Sequence, residues 1–297
     1  YIWIEDTNIA NIQTNGNGLF SADASGPTEF SLWIGGQKVS QLDSLFIQGV
    51  HNPLLRDSAA KASCAITTNN KKANHGGDHY MIPFFFGEDW TKCLPLVALQ
   101  YHDVEIRIKC RDGYTPAGSP QVWGNYIYLD TDERSFFVDN EHEILITQTQ
   151  HQLANSGDTE FDLSYFNHPV KSLHLVSGKA AGDDWDTEYS FGKSSLYING
   201  VALFEDTSAV YHHTVVPEMH STDLPDDILE DLPTFTWPFC VNLSKTQPTG
   251  TLNFSRIDNA KLTVTSPTGG NGLHRVYAVN YNILRIQKGM GGVAFGN

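Results

Sequence analysis

The chain has 297 residues, 40% of them hydrophobic, with 34 acidic against 19 basic side chains and a formal net charge of −15. This length is typical of two domains, each with its own core. The acidic balance argues against a nucleic-acid-binding surface, because such surfaces need Lys and Arg to displace counterions from phosphate. No run of about 18 apolar residues occurs, so the sequence predicts no membrane span.

The first part of the chain is predicted to form short strands joined by turns. Apolar, β-branched and aromatic residues predict strands at 1–4, 29–39, 80–86, 104–108 and 121–129. Segment 29–39 turns at Gly35-Gly36 and is therefore predicted to be a hairpin. Helical spacing of apolar residues predicts a short helix within 41–60.

A charged segment, 130–143, interrupts this pattern and is predicted to be a boundary. Further strands are predicted at 144–152, 161–166, 171–176, 194–204, 234–243, 260–265 and 275–286. Residues 212–217 are also interpreted as a strand. The glycine-rich tail 289–297 is predicted to be irregular.

The hairpin sequence is repeated later in the chain. Segment 31–39 (SLWIGGQKV) resembles segment 195–203 (SLYINGVAL). Three further pairs of similar segments, called echoes below, follow in the same order. These are Pro83-Phe84 with Pro238-Phe239, 94–108 with 251–264, and 122–129 with 276–284. Four ordered echoes indicate two copies of one domain, joined head to tail. The two hairpins are therefore predicted to occupy equivalent places.

Short strands, frequent turns and the duplication predict an all-β protein made of two antiparallel sandwiches. Jelly rolls fit best, although other sandwiches share this pattern. We expect a first jelly roll at 1–132, a linker at 133–143 and a second jelly roll at 144–297. Because the sequence opens on strand-like residues, we expect residues to be missing before Tyr1.

Histidines offer the main candidate for metal chemistry. His212, His213, Glu218 and His220 supply imidazoles and a carboxylate within a short segment. Adjacent residues of a strand point to opposite faces, so His212 and His213 are not expected to share a metal. No catalytic, cofactor-binding or metal-binding residue is predicted.

Acidic clusters at 183–188 and 223–231 suit either calcium or, more simply, solvated loops. A carboxylate pair for glycoside hydrolysis needs only spatial proximity, so a carbohydrate-binding or hydrolysing β-sandwich remains the alternative function. Sequons at Asn242 and Asn253 lie in strand-like stretches and are interpreted as incidental.

Several motifs resemble one known family. Segments 94–102 (LPLVALQYH), 250–259 (GTLNFSRIDN) and 277–297 (YAVNYNILRIQKGMGGVAFGN) are similar to the major capsid proteins of nucleocytoplasmic large DNA viruses, such as those of algae. Supporting matches lie at 33–37, 128–134 and 166–169. The matches follow the family's order from about residue 31 to the last residue.

The resemblance implies two consecutive eight-stranded jelly rolls and a structural, non-enzymatic role in the virion. It implies homotrimers of pseudo-hexagonal outline that contact neighbouring capsomers, minor capsid proteins and penton proteins. Such trimers tile an icosahedral shell around an inner membrane and DNA, with assembly in host cytoplasm. It implies neither direct nucleic-acid binding nor a cofactor. Family members also carry a further N-terminal segment and the first strands of the first jelly roll, so the resemblance implies that these early strands are missing before Tyr1.

Two local predictions follow. Cys64, Cys93, Cys110 and Cys240 are expected to be free thiols, because the family assembles in a reducing compartment. Arg256 and Asp258 stand between apolar residues, so we expect them to be partly buried and to tie a turn to the backbone.

Overall fold

The computed structural model describes residues 1–6, 18–19, 26–58, 60–61, 78–114, 119–177, 189–222, 224, 234–269 and 274–296. The strands are β1 (Ile2–Asp6), β2 (Glu29–Ile34), β3 (Gln37–Asp43), β4 (Asp78–Ile82), β5 (Val104–Lys109), β6 (Gln121–Gly124), β7 (His142–Ala154), β8 (Glu160–Asp162), β9 (Pro169–Ser177), β10 (Lys193–Ile198), β11 (Val201–Ser208), β12 (Thr234–Pro238), β13 (Leu252–Asn253), β14 (Ala260–Val264), β15 (His274–Gln287) and β16 (Met290–Val293). The protein is therefore dominated by strands, as its composition predicts.

Helical segments are short and connect the strands. Ser44–Phe46, Ile47–His51 and Asn52–Leu54 form one run of α, π and α geometry, and Tyr211–Val215 (π) continues into Val216–His220 (α). Thr131–Asp139 is an α-helix, and single 3₁₀ turns lie at Phe85–Gly87, Trp90–Lys92, Leu96–Ala98 and Phe254–Arg256. The run after β3 confirms the short helix predicted within 41–60.

The strands form antiparallel sheets that enclose two cores. In the first half the sheet orders are β4-β1-β6 and β3-β2-β5. In the second half they are β11-β10-β14-β8 and β12-β9-β15-β16, with β7 paired to β15 and β13 paired to β9. The two buried apolar clusters are separate, one built largely around Phe30, Leu32 and Phe84, the other around Leu196 and Trp237.

The two hairpins occupy equivalent places, which confirms the predicted duplication. In the first, β2 pairs with β3 and β5, and Leu32 lies opposite Ile106. In the second, β10 pairs with β11 and β14, and Leu196 lies opposite Leu262. Leu32 and Leu196 are each fully buried in their own core, and Ile34 and Ile198 pack on the same side as them.

The hairpin turns explain why the repeat is visible in the sequence. Both turns have two residues with positive φ, 57° and 79° at Gly35-Gly36 and 48° and 83° at Asn199-Gly200. Gly and Asn tolerate this region, whereas most residues with a Cβ do not. A matching hydrogen bond fixes each turn, because Gly35 N donates to Asp103 O (3.0 Å) and Asn199 N donates to Asn259 O (2.8 Å).

The remaining echoes also fall on equivalent strands. β4 ends just before Pro83-Phe84 and pairs with β1. β12 ends at Pro238 of the second Pro-Phe pair and pairs with β9. On the other side of these partners lie β6 and β15, which carry the last echo. β15 is also paired along its length with β7, whereas β6 has no partner on its second edge among the described residues.

Several predicted boundaries were wrong. β6, β8 and β12 end earlier than predicted, at Gly124, Asp162 and Pro238. Residues 130–143 contain the Thr131–Asp139 helix, whose start is fixed by a capping box between Asp130 and Glu133. The strand interpretation of 212–217 was wrong too, since these residues are helical.

Part of the glycine-rich tail, Met290–Val293, forms β16, so the prediction of an irregular tail was wrong for these residues. β16 pairs with the end of β15, Leu284 opposite Val293. A Cβ on Gly291 would lie 2.6 Å from Leu99 Cδ2 and 3.3 Å from Ile34 Cγ2, so only glycine allows this close approach. Leu284 and Ile286 belong to the first core. The end of the chain therefore packs on the first half.

Candidate functional site

The histidine-rich segment is structural. His212 Nδ1 donates to the carbonyl of Thr236 (3.0 Å), and its Nε2 lies 2.6 Å from the hydroxyl of Thr207. His213 Nδ1 contacts Thr234 O (2.9 Å) and His220 Nδ1 contacts Cys240 O (3.0 Å). These rings tie the helical run to β12 and the residues after it, and nowhere in the described ranges do three metal-ligating side chains gather.

The other local predictions have mixed outcomes. Cys93, Cys110 and Cys240 are free thiols, which confirms the prediction for these three, while Cys64 lies outside the described residues. Both acidic clusters also lie outside the described residues, apart from Leu224.

Arg256 and Asp258 are exposed, so the prediction that they are partly buried was wrong. The turn is instead fixed by neighbouring side chains. Asn253 Oδ1 accepts from Ser255 N (3.1 Å), and Ser255 Oγ accepts from His168 N (2.8 Å). Short Asn and Ser side chains reach the adjacent backbone, whereas the longer Arg side chain is free to remain in water.

Both sequon asparagines are only partly buried, and their side chains are used locally. Asn242 Oδ1 accepts from Ser244 N (2.8 Å) and Lys245 N (3.0 Å), and its Nδ2 donates to Thr222 Oγ1 (3.1 Å). Together with the bond from Ser255 N to Asn253, these contacts agree with the interpretation that the sequons are incidental.

A cavity of about 710 Å³ lies between the two halves of the chain. Its apolar lining includes the buried side chains of Leu42, Phe46, Phe85 and Val279. Strands β3, β4, β7, β9 and β15, the helical run 44–54 and the loop 244–247 all contribute to its lining. Because these segments are distant in sequence, no linear motif predicts the cavity.

Cationic side chains line the polar wall of this cavity. Lys171 is 4% exposed, and its Nζ donates to Lys245 O (3.2 Å). Arg56 Nη2 donates to Asn52 Oδ1 (3.2 Å), while its buried Nε has no hydrogen-bond partner. Burial lowers the pKa of both Lys171 and Arg56, the direction expected when a cation loses water.

The nearby carboxylates are already engaged. Glu88 Oε2 lies 3.0 Å from Lys92 Nζ, and its Oε1 accepts from the Thr147 hydroxyl. Asp57 pairs with Lys61 at 2.7 Å. Neither Arg56 nor Lys171 has a carboxylate partner among the described residues, so the cavity wall carries two cations without a bonded counter-ion.

A row of exposed and half-buried aromatic side chains crosses the first sheet. Trp3 of β1 lies opposite Trp123 of β6, and their rings stack at 6.2 Å. Tyr1 contacts Trp3 at 5.6 Å and Trp90 at 6.0 Å. Beyond β6, Tyr128 is 88% exposed. Contiguous exposed apolar surface of this kind is typical of association sites.

Among the helices that are described, none has the length and apolar character needed to cross a membrane.

Family models match most of the chain. Residues 133–292 match the model described as large eukaryotic DNA virus major capsid protein, and residues 27–130 match the major capsid protein N-terminus. The major capsid protein of Pyramimonas orientalis virus is 36% identical over 244 residues, covering 73% of this chain and 60% of that protein. The counterpart from Paramecium bursaria Chlorella virus 1 is 28% identical over 291 residues, covering 72% and 65%. The chain thus spans less than two thirds of these relatives.

Solved structures show the same fold. A chain of the quasi-atomic model of the PBCV-1 virus capsid aligns with a TM-score of 0.75 and 23% identity, covering 100% of this chain and 89% of that chain. The Faustovirus major capsid protein aligns with a TM-score of 0.63 and 11% identity, covering 96% and 74%. These likenesses confirm the double jelly roll. Since a family model matches more than half of its residues, the chain belongs to the major capsid protein family of large eukaryotic DNA viruses.

Proposed function

We propose that this chain is a structural subunit of an icosahedral virus shell and that three copies form a capsomer of pseudo-hexagonal outline. The duplicated jelly roll carries the proposal. Because each chain presents two similar domains with equivalent hairpins, three chains around one axis present six similar units. The exposed aromatic row supports a protein that associates with others.

We also propose the division into a first jelly roll at 1–132, a linker at 133–143 and a second jelly roll at 144–297. The two family matches, 27–130 and 133–292, support it because they meet near this point. The Thr131–Asp139 helix buries none of its residues, which suits a connection. β15 and β16 belong to the second jelly roll in sequence, yet residues of both strands pack on the first core.

The proposed partners are two further copies of this chain, neighbouring capsomers, and the minor capsid and penton proteins of the shell. The proposed location is the virion capsid, with assembly in host cytoplasm. The matched relatives are named as capsid proteins, which leaves the carbohydrate-binding or hydrolysing sandwich without a supporting observation.

Mass in solution tests the trimer. Light scattering on the purified chain should give three times the 33.0 kDa chain mass across a range of protein concentrations. Negative-stain images of the same fraction should show a pseudo-hexagonal outline. A monomer at every concentration, together with saturable binding of an oligosaccharide, would contradict the proposal and favour the alternative.

A further inference from the structure

The cavity between the two halves combines features that rarely occur together without a ligand. Lys171 and the Nε of Arg56 are buried, neither cation has a bonded carboxylate, and apolar side chains also line the cavity. Burying a charge without a counter-ion costs several kcal/mol, as a rough figure, so such charges are ordinarily paired. A ligand that brings a negative charge would remove this cost.

Both cations belong to one site. Arg56 and Lys171 line the same cavity, and His51 lies in this lining as well. Glu88 bonds to Lys92 and to the Thr147 hydroxyl. It also acts electrostatically on Arg56 and on Lys171, but it forms an ion pair with neither of them. The cavity lining holds four cationic side chains and three carboxylates, an excess of one positive charge in a chain whose net charge is −15.

The size and the apolar wall restrict the ligand. A volume of about 710 Å³ is far larger than an inorganic anion needs and falls within the usual range for small organic ligands. Leu42, Phe46 and Phe85 offer aliphatic and aromatic contact but no charge. A guanidinium and an ammonium that line one cavity suit a carboxylate, since Arg binds carboxylates with paired N–H donors.

We propose that this cavity binds an amphipathic carboxylate, such as a medium-chain fatty acid, with its head group at Arg56 and Lys171 and its tail on the Leu42–Phe46–Phe85 wall. Occupancy would join the two halves, because Arg56 follows the helical run of the first and Lys171 lies on β9 of the second.

Isothermal titration of the purified chain with decanoate tests this proposal, in a buffer free of phosphate and other carboxylates. Decanoate should bind saturably and raise the thermal midpoint, whereas 1-decanol, which has the same chain without the charge, should bind at least about tenfold more weakly. Equal binding of the two compounds would overturn the proposal, as would the absence of saturable decanoate binding.

Variants locate the head group. Arg56→Met and Lys171→Met should each weaken decanoate binding at least about tenfold, a loss of roughly 1.4 kcal/mol. Lys261→Met, which removes an exposed lysine paired with Glu160, should retain wild-type affinity. If Lys171→Met fails to fold, Lys171→Gln replaces it. The comparison of decanoate with decanol on the wild-type chain tests independently whether binding needs the negative charge. Wild-type affinity in both cavity variants would overturn the assignment.

Discussion

Asp43 and Arg275 form a buried ion pair that joins the two halves of the chain. Asp43 ends β3 in the first half and Arg275 lies near the start of β15 in the second, with Nη1 and Oδ2 2.7 Å apart. The side chains are 2% and 7% exposed. Asp43 Oδ1 also accepts from Tyr277 OH and from Phe46 N, each at 2.7 Å. One carboxylate thus holds β15 and the start of the helical run 44–54.

Removal of the Asp43 carboxylate should leave the Arg275 guanidinium buried without its ion-pair partner. We expect Asp43→Ala to lower the free energy of unfolding by about 3–5 kcal/mol, the usual cost of breaking a buried pair. Urea denaturation of the purified chain measures this loss.

The matched control is Glu160→Ala, which removes an acid from the exposed pair with Lys261 at 2.8 Å. Exposed pairs contribute about 0–1 kcal/mol, so this variant should unfold close to the wild type. Similar losses in the two variants would contradict a special role for the buried pair.

Gly291 gives a second prediction, because β16 approaches the first core closely there. Gly291→Ala places a methyl group 2.6 Å from Leu99 Cδ2, so Leu99 and its neighbours must shift. We expect a loss of about 1–3 kcal/mol, as found for overpacked cores. At Gly157, a Cβ would meet nothing within 4 Å, so Gly157→Ala should change stability by less than about 0.5 kcal/mol. Thermal denaturation of both variants tests the contrast.

Buried histidines predict that the protein loses stability in mild acid. Burial lowers the pKa of His174 to about 3 and that of His212 to about 4. Both rings are neutral in the folded chain, and His174 is held between Ser172 and Thr236 hydroxyls at 2.8 and 3.0 Å. In the unfolded chain a histidine takes up a proton below a pKa of about 6.5.

The direction of this pH dependence follows because both histidine pKa values are lower in the folded chain than in the unfolded chain. The unfolded state binds more protons as pH falls through about 6.5, so the free energy of unfolding decreases toward acid, by up to about 1.4 kcal/mol per pH unit for each such ring. Urea denaturation from pH 7.5 to 5 measures this slope. His174→Gln should make it shallower, and an unchanged slope in that variant would contradict the assignment to His174.

The sequence predicted those features that depend on residues close to one another in the chain. Each hairpin turn needs two successive residues with positive φ, so Gly35-Gly36 and Asn199-Gly200 recur and make the duplication visible. Alternation likewise predicted β5, where Val104, Ile106 and Ile108 pack on the first core.

Features that depend on distant contacts were missed. Val215 and Val216 favour strands, yet they lie in a helical run held to β12 by the rings of His212 and His213. The glycines of β16 suggested an irregular tail, because the need for glycine at position 291 comes from Leu99, about two thirds of the chain length away. Arg256 was predicted to be partly buried because its sequence neighbours are apolar, yet it is exposed. An apolar sequence context alone therefore does not establish burial.

The second hairpin turn gives the last prediction. Asn199 has φ of 48°, and its Oδ1 accepts from the backbone N–H groups of Asp258 (3.2 Å) and Asn259 (3.1 Å). These bonds join the turn to the residues that precede β14, the role wrongly expected of Arg256. Asn199→Ala removes both bonds and leaves a Cβ-bearing residue without local support at positive φ, so we expect a loss of about 2 kcal/mol.

Asn199→Gly separates the two effects, because glycine tolerates positive φ but offers no acceptor. Its loss should be smaller, about 1 kcal/mol, which corresponds to the hydrogen bonds alone. Arg256→Ala, an exposed change in the same loop region, should alter stability by less than about 0.5 kcal/mol. Urea denaturation of the three variants should therefore rank Asn199→Ala below Asn199→Gly, and Arg256→Ala beside the wild type. A larger loss in Arg256→Ala than in Asn199→Ala would show that the arginine, not the asparagine, holds this turn.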